Sequence, residues 1–230
     1  MTKWIMPMNL NHSCTGKLLD DLIADRQINL LLSRLQDYHQ ETYDHSRRVC
    51  LLSLDLGIQL RLSPSDLWYL GRASLLHDIG KLEIPSDILN KPAALTTSEL
   101  KVMRQHVRLS FWAIQSMEKE LPAYETVKKI AVAHHEFSTT PYPRNGTDPR
   151  QVKLATSDRR RTDQSIHYLS QIVAVSDMTD ALWHARSYKR GFSRSEIEYI
   201  LRREFQGDPT LVEYAIWRLN EDGQAPVSYH

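Results

Sequence analysis

Apolar residues recur at spacings of three and four along most of the chain, the signature of helices that bury one face. Leu18, Leu22, Leu30, Leu31 and Leu35 fit one long helix or two joined ones. Leu100, Met103, Val107, Ile114 and Met117 form a second stripe, and Val127, Ile130, Ala131 and His134 a third. Helix-start signals fall between the stripes. Ser63-Pro64-Ser65-Asp66 offers an N-cap hydroxyl, a proline at the first helical position and an acid. Thr96-Thr97-Ser98-Glu99 and Ser193-Arg194-Ser195-Glu196 read as capping boxes. Gly207-Asp208-Pro209 ends one helix and starts another. No period-two alternation and no internal repeat stands out. The pattern predicts helices near 18–38, 43–61, 65–78, 97–117, 122–136, 164–183, 194–205 and 209–220, hence an all-α fold.

Residues 137–163 break this pattern. They are rich in turn formers and basic side chains, including Arg159-Arg160-Arg161, and predict a long irregular loop between two helices. That basic run could steer an anionic dinucleotide, but a solvated loop is the better reading.

Composition narrows the function classes. The 230 residues suffice for one domain with a sizeable core. A net charge of +1 gives no global field for a nucleic-acid polymer or an anionic membrane. No apolar run approaches a transmembrane length, and the first residues have no secretory core. Cys14 and Cys50 form neither a CxxC motif nor a disulfide framework, which suits a reducing cytoplasm. Cys50 reads as a buried small side chain, and Trp68, Trp112, Trp183 and Trp217 as core or interface residues on helices.

The ten histidines matter through their positions. His45, His77, Asp78, His134 and His135 fall at or near predicted helix ends, His106 and Asp177 lie within predicted helices, and Glu41 precedes His45 by one helical turn. His77-Asp78 and His134-His135 are adjacent pairs that each end an apolar run. Adjacent helical side chains diverge by about 100°. Both members of a pair therefore reach one centre only if it lies over the helix terminus, which Gly80 would supply after Asp78. Burying such groups without compensation costs several kcal/mol, and a bound cation is the simplest compensation. Imidazole and carboxylate without thiolate suit Fe, Mn or Zn in an open site. The number of donors exceeds what one ion needs and suggests two ions bridged by Asp78, with a third held by Glu41. Two ions about 3.5–4 Å apart can activate a shared hydroxide for in-line attack on phosphorus.

The segments HSRRV (45–49), LLHDIGKLEIPSDILNKPAALTTSEL (75–100), MRQHV (103–107), AVAHHE (131–136) and VSDMTDALWHARSYKR (175–190) resemble the HD-GYP branch of the HD superfamily. The resemblance covers about residues 30–215 and keeps the family's motif order. It implies an HD-superfamily helical bundle over 18–220, with a short N-terminal extension (1–17) and a C-terminal tail (221–230). It also implies a metal-dependent phosphodiesterase that hydrolyses cyclic di-GMP to pGpG or GMP. By resemblance the metal ligands are Glu41, His45, His77, Asp78, His106, His134, His135 and Asp177, holding two or three divalent ions, Fe or Mn. Lys81 matches a lysine that contacts the scissile phosphate. Arg186, Lys189 and Tyr142 match substrate-binding positions, and Asp180 a supporting acid grouped with them. The family also implies contacts with GGDEF-domain proteins, and a homodimer is an open expectation.

The chain departs from the family at the loop after the His-His pair. It reads HHEFSTTPYPRNG, with Phe137 where an arginine is usual and Pro141 in place of the glycine of GYP, while Tyr142 and Pro143 remain. The stretch is one residue short, and the connection to Asp177 is a dozen or so residues longer than usual. These changes are expected to alter the wall of the substrate pocket without touching a metal ligand. About 17 residues precede the first predicted helix, too few for an input domain of the kind the family usually carries. Two further readings stay open: the same metal site acting on another cyclic dinucleotide or nucleotide, and a non-catalytic, ligand- or redox-responsive binding module.

Overall fold

The structure, a computed structural model, describes residues 12–118, 124–140, 159–184 and 191–221. Their regular elements are helices, and the only pairing of extended backbone among them is an isolated antiparallel bridge between Ser138 and Phe205. The all-α expectation therefore holds.

The long N-terminal stripe is two helices, α1 (His12–Ile23) and α2 (Arg26–Tyr38), and α1 starts six residues before the expected 18. They separate because Asp25 turns its carboxylate onto the backbone amides of Gln27 and Ile28, at 3.0 and 3.3 Å, and so restarts the helix. A single extended residue, His39, divides α2 from α3 (Gln40–Gln59). Its Nδ1 accepts from the Thr42 amide at 3.1 Å and caps the new helix. Further along lie α4 (Pro64–Leu76), a 3₁₀ helix (Ile79–Glu83), α5 (Ser86–Leu89), α6 (Thr97–Met103), α7 (His106–Glu118), α8 (Tyr124–Ala131), α9 (Arg159–Trp183), α10 (Arg194–Glu204) and α11 (Pro209–Glu221).

The cap signals were legible. Ser63 caps α4, with Pro64 in the first turn, and both capping boxes form, Thr96 with Glu99 and Ser193 with Glu196. Three expected spans are corrected. The 97–117 stripe is broken into α6 and α7 by a turn at Arg104-Gln105. The 122–136 helix stops at Ala131, and α9 begins with the arginine run at Arg159 rather than at 164.

The core forms where α3 packs against α4 and α9, and α8 against α4, α7 and α9. Leu54, Leu70, Leu75, Leu76, Ile79, Tyr124, Ile130, Ile172 and Val173 are fully or almost fully excluded from solvent there. Trp68 lies edge-on to Tyr69 and Tyr124, with the Arg72 guanidinium 3.7 Å from its ring centroid. Cys50 is buried and donates to the Gly71 carbonyl, and burial pushes its thiol pKa up, so it behaves as the small core residue expected. Trp112 is not a core residue: it is 58% exposed on α7.

Phe137 also takes a different place. It is buried against His167 and Phe205, at ring-centroid distances of 5.2 and 6.4 Å. Its carbonyl accepts from the Gln206 amide at 2.9 Å. It anchors the segment after α8 to the C-terminal helices and does not line the cleft described below. The expectation that Phe137 reshapes the pocket wall is corrected: an apolar ring here is absorbed by the core. Pro141, Tyr142 and Pro143 lie outside the described residues.

Candidate metal centre and active-site cleft

The ends of α4, α6 and α8 converge with α3 and α9 on one point. The last carbonyls of a helix have no partner within it. At each of the three ends, a histidine three residues further on donates its Nδ1–H to such a carbonyl: His77 to Ser74 at 2.7 Å, His106 to Met103 at 2.7 Å and His134 to Ala131 at 2.6 Å. Fixing hydrogen on Nδ1 leaves the Nε2 lone pair bare. The bare nitrogens meet. His106 and His134 oppose Nε2 to Nε2 at 3.5 Å, and the fully buried His77 Nε2 has no hydrogen-bond partner. Two facing lone pairs and one orphaned buried acceptor are unfavourable unless a cation lies among them.

The carboxylates complete the set. Asp78 presents its two oxygens to different histidines, Oδ1 to His106 Nε2 at 3.2 Å and Oδ2 to His77 Nε2 at 3.4 Å and His45 Nε2 at 3.7 Å. Asp177, from α9, reaches His45 Nε2 at 3.0 Å and His77 Nε2 at 3.9 Å. Three groups each bring candidate ligand atoms within 4.8 Å of one another: His45, His77 and Asp78; His106, His134 and His135; His77, His134 and Asp177. The donor chemistry and the orphaned nitrogen fit resident divalent cations. A carboxylate whose oxygens face two subgroups fits a bridge between two ions.

Electrostatics agrees. Burial drives His106 down to about 4, His135 to about 3 and His134 well below the usual imidazole range, so these rings are neutral ligands at neutral pH. His45 behaves differently. Burial alone would lower it, but its hydrogen bonds to Asp177 and Asp180 raise it to about 9. Burial would raise Asp78 and Asp177, yet Lys81 and His77 for the former, and His45 for the latter, hold both below the carboxylate range.

The pairs reach the centre because the helices stop before them: α4 ends at Leu76 and α8 at Ala131. Gly80 matters for a reason the sequence did not show. A Cβ there would lie 2.1 Å from the His106 carbonyl oxygen and 2.4 Å from the Ser110 amide. Its amide donates to Ser110 Oγ at 2.9 Å, and that hydroxyl donates to the His77 carbonyl at 2.8 Å. The glycine lets the first turn of α7 press against the His77-Asp78 turn.

A cleft of about 400 Å³ opens over the cluster. Its lining includes Lys81, whose Nζ lies 2.5 Å from Asp78 Oδ2, and Glu41, exposed on α3 one turn before His45. Glu41 stands outside the three ligand groups. Asp180 is 4% exposed, and its carboxylate is taken by His45, Arg48 and His184. Asp180 also lines the cleft, and its carboxylate faces His45 and Arg48, as suits a supporting acid. Arg186, Lys189 and Tyr142 lie outside the described residues. Sequence reasoning missed Arg48 and His184, although both sit inside quoted motifs. Only their shared carboxylate reveals them.

An all-α domain whose helix ends gather imidazoles and carboxylates beneath an open cleft is an arrangement able to hold divalent metal ions. The HD domain family matches residues 42–182, and the chain belongs to that family. It is 34% identical over 184 residues to a cyclic di-GMP phosphodiesterase of Pseudomonas aeruginosa, covering 78% of this chain and 40% of the relative. It is 32% identical over 161 residues to a cyclic di-GMP phosphodiesterase of Thermotoga maritima, covering 69% and 39%. It is 29% identical over 194 residues to a 3'3'-cGAMP-specific phosphodiesterase of Vibrio cholerae, covering 83% and 34%. The chain thus spans about two fifths or less of the length of these relatives, and the relatives agree with the HD-GYP resemblance of its motifs. No described helix is long and apolar enough to cross a membrane.

Proposed function

We propose that this chain hydrolyses a 3′–5′ phosphodiester bond of cyclic di-GMP in a metal-dependent reaction, giving linear pGpG and, where a third ion is held near Glu41, GMP. The observation that carries this reading is the convergence of His45, His77, Asp78, His106, His134, His135 and Asp177, three of the histidines with Nε2 bared by a backbone acceptor. Two or three divalent ions, iron or manganese as the HD-GYP resemblance implies, would supply a water of lowered pKa and positive charge at the scissile phosphate.

The chain's own groups do the rest. Asp78 divides its oxygens between the two halves of the ligand set, and Lys81 stands against it at the cleft floor, where its ammonium stabilises charge developing on the phosphoryl oxygens. Asp180 holds His45 in orientation. Arg186, Lys189 and Tyr142 are assigned to the distal phosphate and base, which would align the reacting bond through remote binding. The cytoplasm is the compartment that fits this substrate. The loop bearing Tyr142 is the surface proposed for GGDEF-domain partners, and a homodimer is the proposed assembly.

A second reading is 3'3'-cGAMP as substrate, favoured by relatives named as specific for it. Protein purified without chelator, analysed for bound metal and assayed with Mn(II) or Fe(II) on cyclic di-GMP, 3'3'-cGAMP and pGpG, separates the readings. Asp78→Ala should abolish turnover, and Lys81→Met should keep the metal while losing most of kcat. Wild-type rates in Asp78→Ala would overturn the mechanism. Tight binding without turnover under any metal would make the chain a binding module.

A further inference from the structure

A carboxylate accepts about four hydrogen bonds, and four N–H groups surround Asp180. Arg48 Nε and His184 Nδ1 lie 2.8 and 2.9 Å from Oδ1. His45 Nδ1 and Arg48 Nη2 lie 2.6 and 3.1 Å from Oδ2. Arg48 neutralises the charge, and His184 Nδ1 faces two acceptors of Asp180, Oδ1 and the backbone carbonyl, so His184 carries hydrogen on Nδ1. The Asp180 carbonyl, 3.4 Å from that nitrogen, holds the ring in the same sense.

His184 is nonetheless not built into the metal centre. It belongs to none of the three ligand groups. It closes α9 seven residues after Asp177, its side chain is 22% exposed, and it lines the same cleft as Asp78, Lys81 and Asp177. Its Nε2, on the side of the ring away from the carboxylate, is an acceptor in the neutral imidazole. His45 and His184 hang from opposite oxygens of one carboxylate, which sets His184 just outside the cluster. In a ribonucleotide phosphodiester whose phosphate lies at that cluster, the nearest hydrogen-bond donor beside the scissile 3′ oxygen is the ribose 2′-hydroxyl.

We propose that His184 is a substrate-contact residue whose Nε2 accepts a hydrogen bond from the 2′-hydroxyl beside the scissile phosphate, so that the cleft selects ribonucleotide over 2′-deoxyribonucleotide phosphodiesters. This inference rests on the phosphodiesterase reading above and assigns part of its substrate selectivity. Asp180 serves two imidazoles at once: it orients one as a ligand and presents the other to the sugar.

The test compares kcat/KM for cyclic di-GMP and its 2′-deoxy analogue in wild type, His184→Ala and His184→Gln, with bound metal measured in each. The wild type should prefer the ribonucleotide beyond its intrinsic reactivity by roughly ten-fold, the size of one hydrogen bond. His184→Ala should lose most of that preference, its rate on the deoxy analogue falling much less, and the amide oxygen of His184→Gln should restore part of it. Equal slowing on both substrates, with metal lost, would reduce His184 to a scaffold for Asp180 and overturn the inference. An unchanged preference in His184→Ala would overturn it too. A wild type inactive on every cyclic dinucleotide would instead bring down the phosphodiesterase reading, and this inference with it.

Discussion

His45 donates its Nδ1 proton to Asp180 across 2.6 Å, although the two residues are 135 positions apart. The bond ties α3 to α9 and fixes the direction of the His45 ring, and Asp180 is held in turn by both Nε and Nη2 of Arg48. A buried carboxylate behind a ligating imidazole sets its orientation and basicity. Asp180→Asn should therefore keep the fold by circular dichroism but weaken metal binding about 10–100-fold, the usual effect of removing such a partner. Titration calorimetry with Mn(II) checks this, and unaltered affinity would remove Asp180 from the account.

The facing Nε2 atoms of His106 and His134 and the orphaned His77 Nε2 make the metal-free site a source of instability. A ligand present at 100 times its Kd adds about 2.7 kcal/mol, and each kcal/mol moves Tm by about 2–4 °C in a domain of this size. Saturating Mn(II) should raise Tm by roughly 5–10 °C over chelator-treated protein. Scanning calorimetry with and without the ion decides it, and coincident transitions would contradict a built metal site.

The metal-free protein should be most stable near pH 6.5. His106 and His135 fall from 6.5 to about 4 and about 3 on folding. Their contribution is present above the unfolded value and is lost as pH drops below it. His45 rises from 6.5 to about 9, so its contribution is full below 6.5 and is lost as pH climbs through 9. Urea unfolding in chelator at pH 5, 6.5 and 9 should show the maximum in the middle. A profile rising steadily to pH 9 would mean that His45 is not the imidazolium shared by Asp177 and Asp180.

Gly80→Ala would force a methyl group against the backbone of His106 and Ser110. Backbone cannot rotate away as a side chain can, so a cost at the upper end of about 1–3 kcal/mol follows. Metal affinity should fall with stability, because the same contact sets the distance between Asp78 and His106. Denaturant midpoints and metal binding, measured together, test the coupling.

Phe137→Ala separates fold from chemistry in the opposite way. Removing this buried ring should cost about 3–5 kcal/mol, while metal content and the KM for substrate stay near wild type, since Phe137 does not line the cleft. A large KM change with intact stability would return Phe137 to the pocket wall.

The helices, their caps and the paired candidate ligands could be read from the chain because each depends on neighbours a few positions apart. Period, capping hydroxyls and the His77-Asp78 and His134-His135 pairs are local facts. Where a helix ends against its neighbour is not local. The stripe through Met103 and Val107 looked continuous, yet the turn at Arg104-Gln105 frees the Met103 carbonyl for His106. Phe137 looked like a change in the pocket and proved to be core.

By itself, then, the sequence determined that the protein is all-α and that it carries His-Asp and His-His pairs of metal-ligand type. Tertiary structure alone decided which nitrogen of His45, His77, His106 and His134 faces the centre, that Asp78 divides its two oxygens between subgroups, and that Asp180, Arg48 and His184 meet. The physical reason is that a lone pair is assigned by whatever saturates the other side of the group. Those partners are helix-end carbonyls and distant side chains, which come together only when the helices pack.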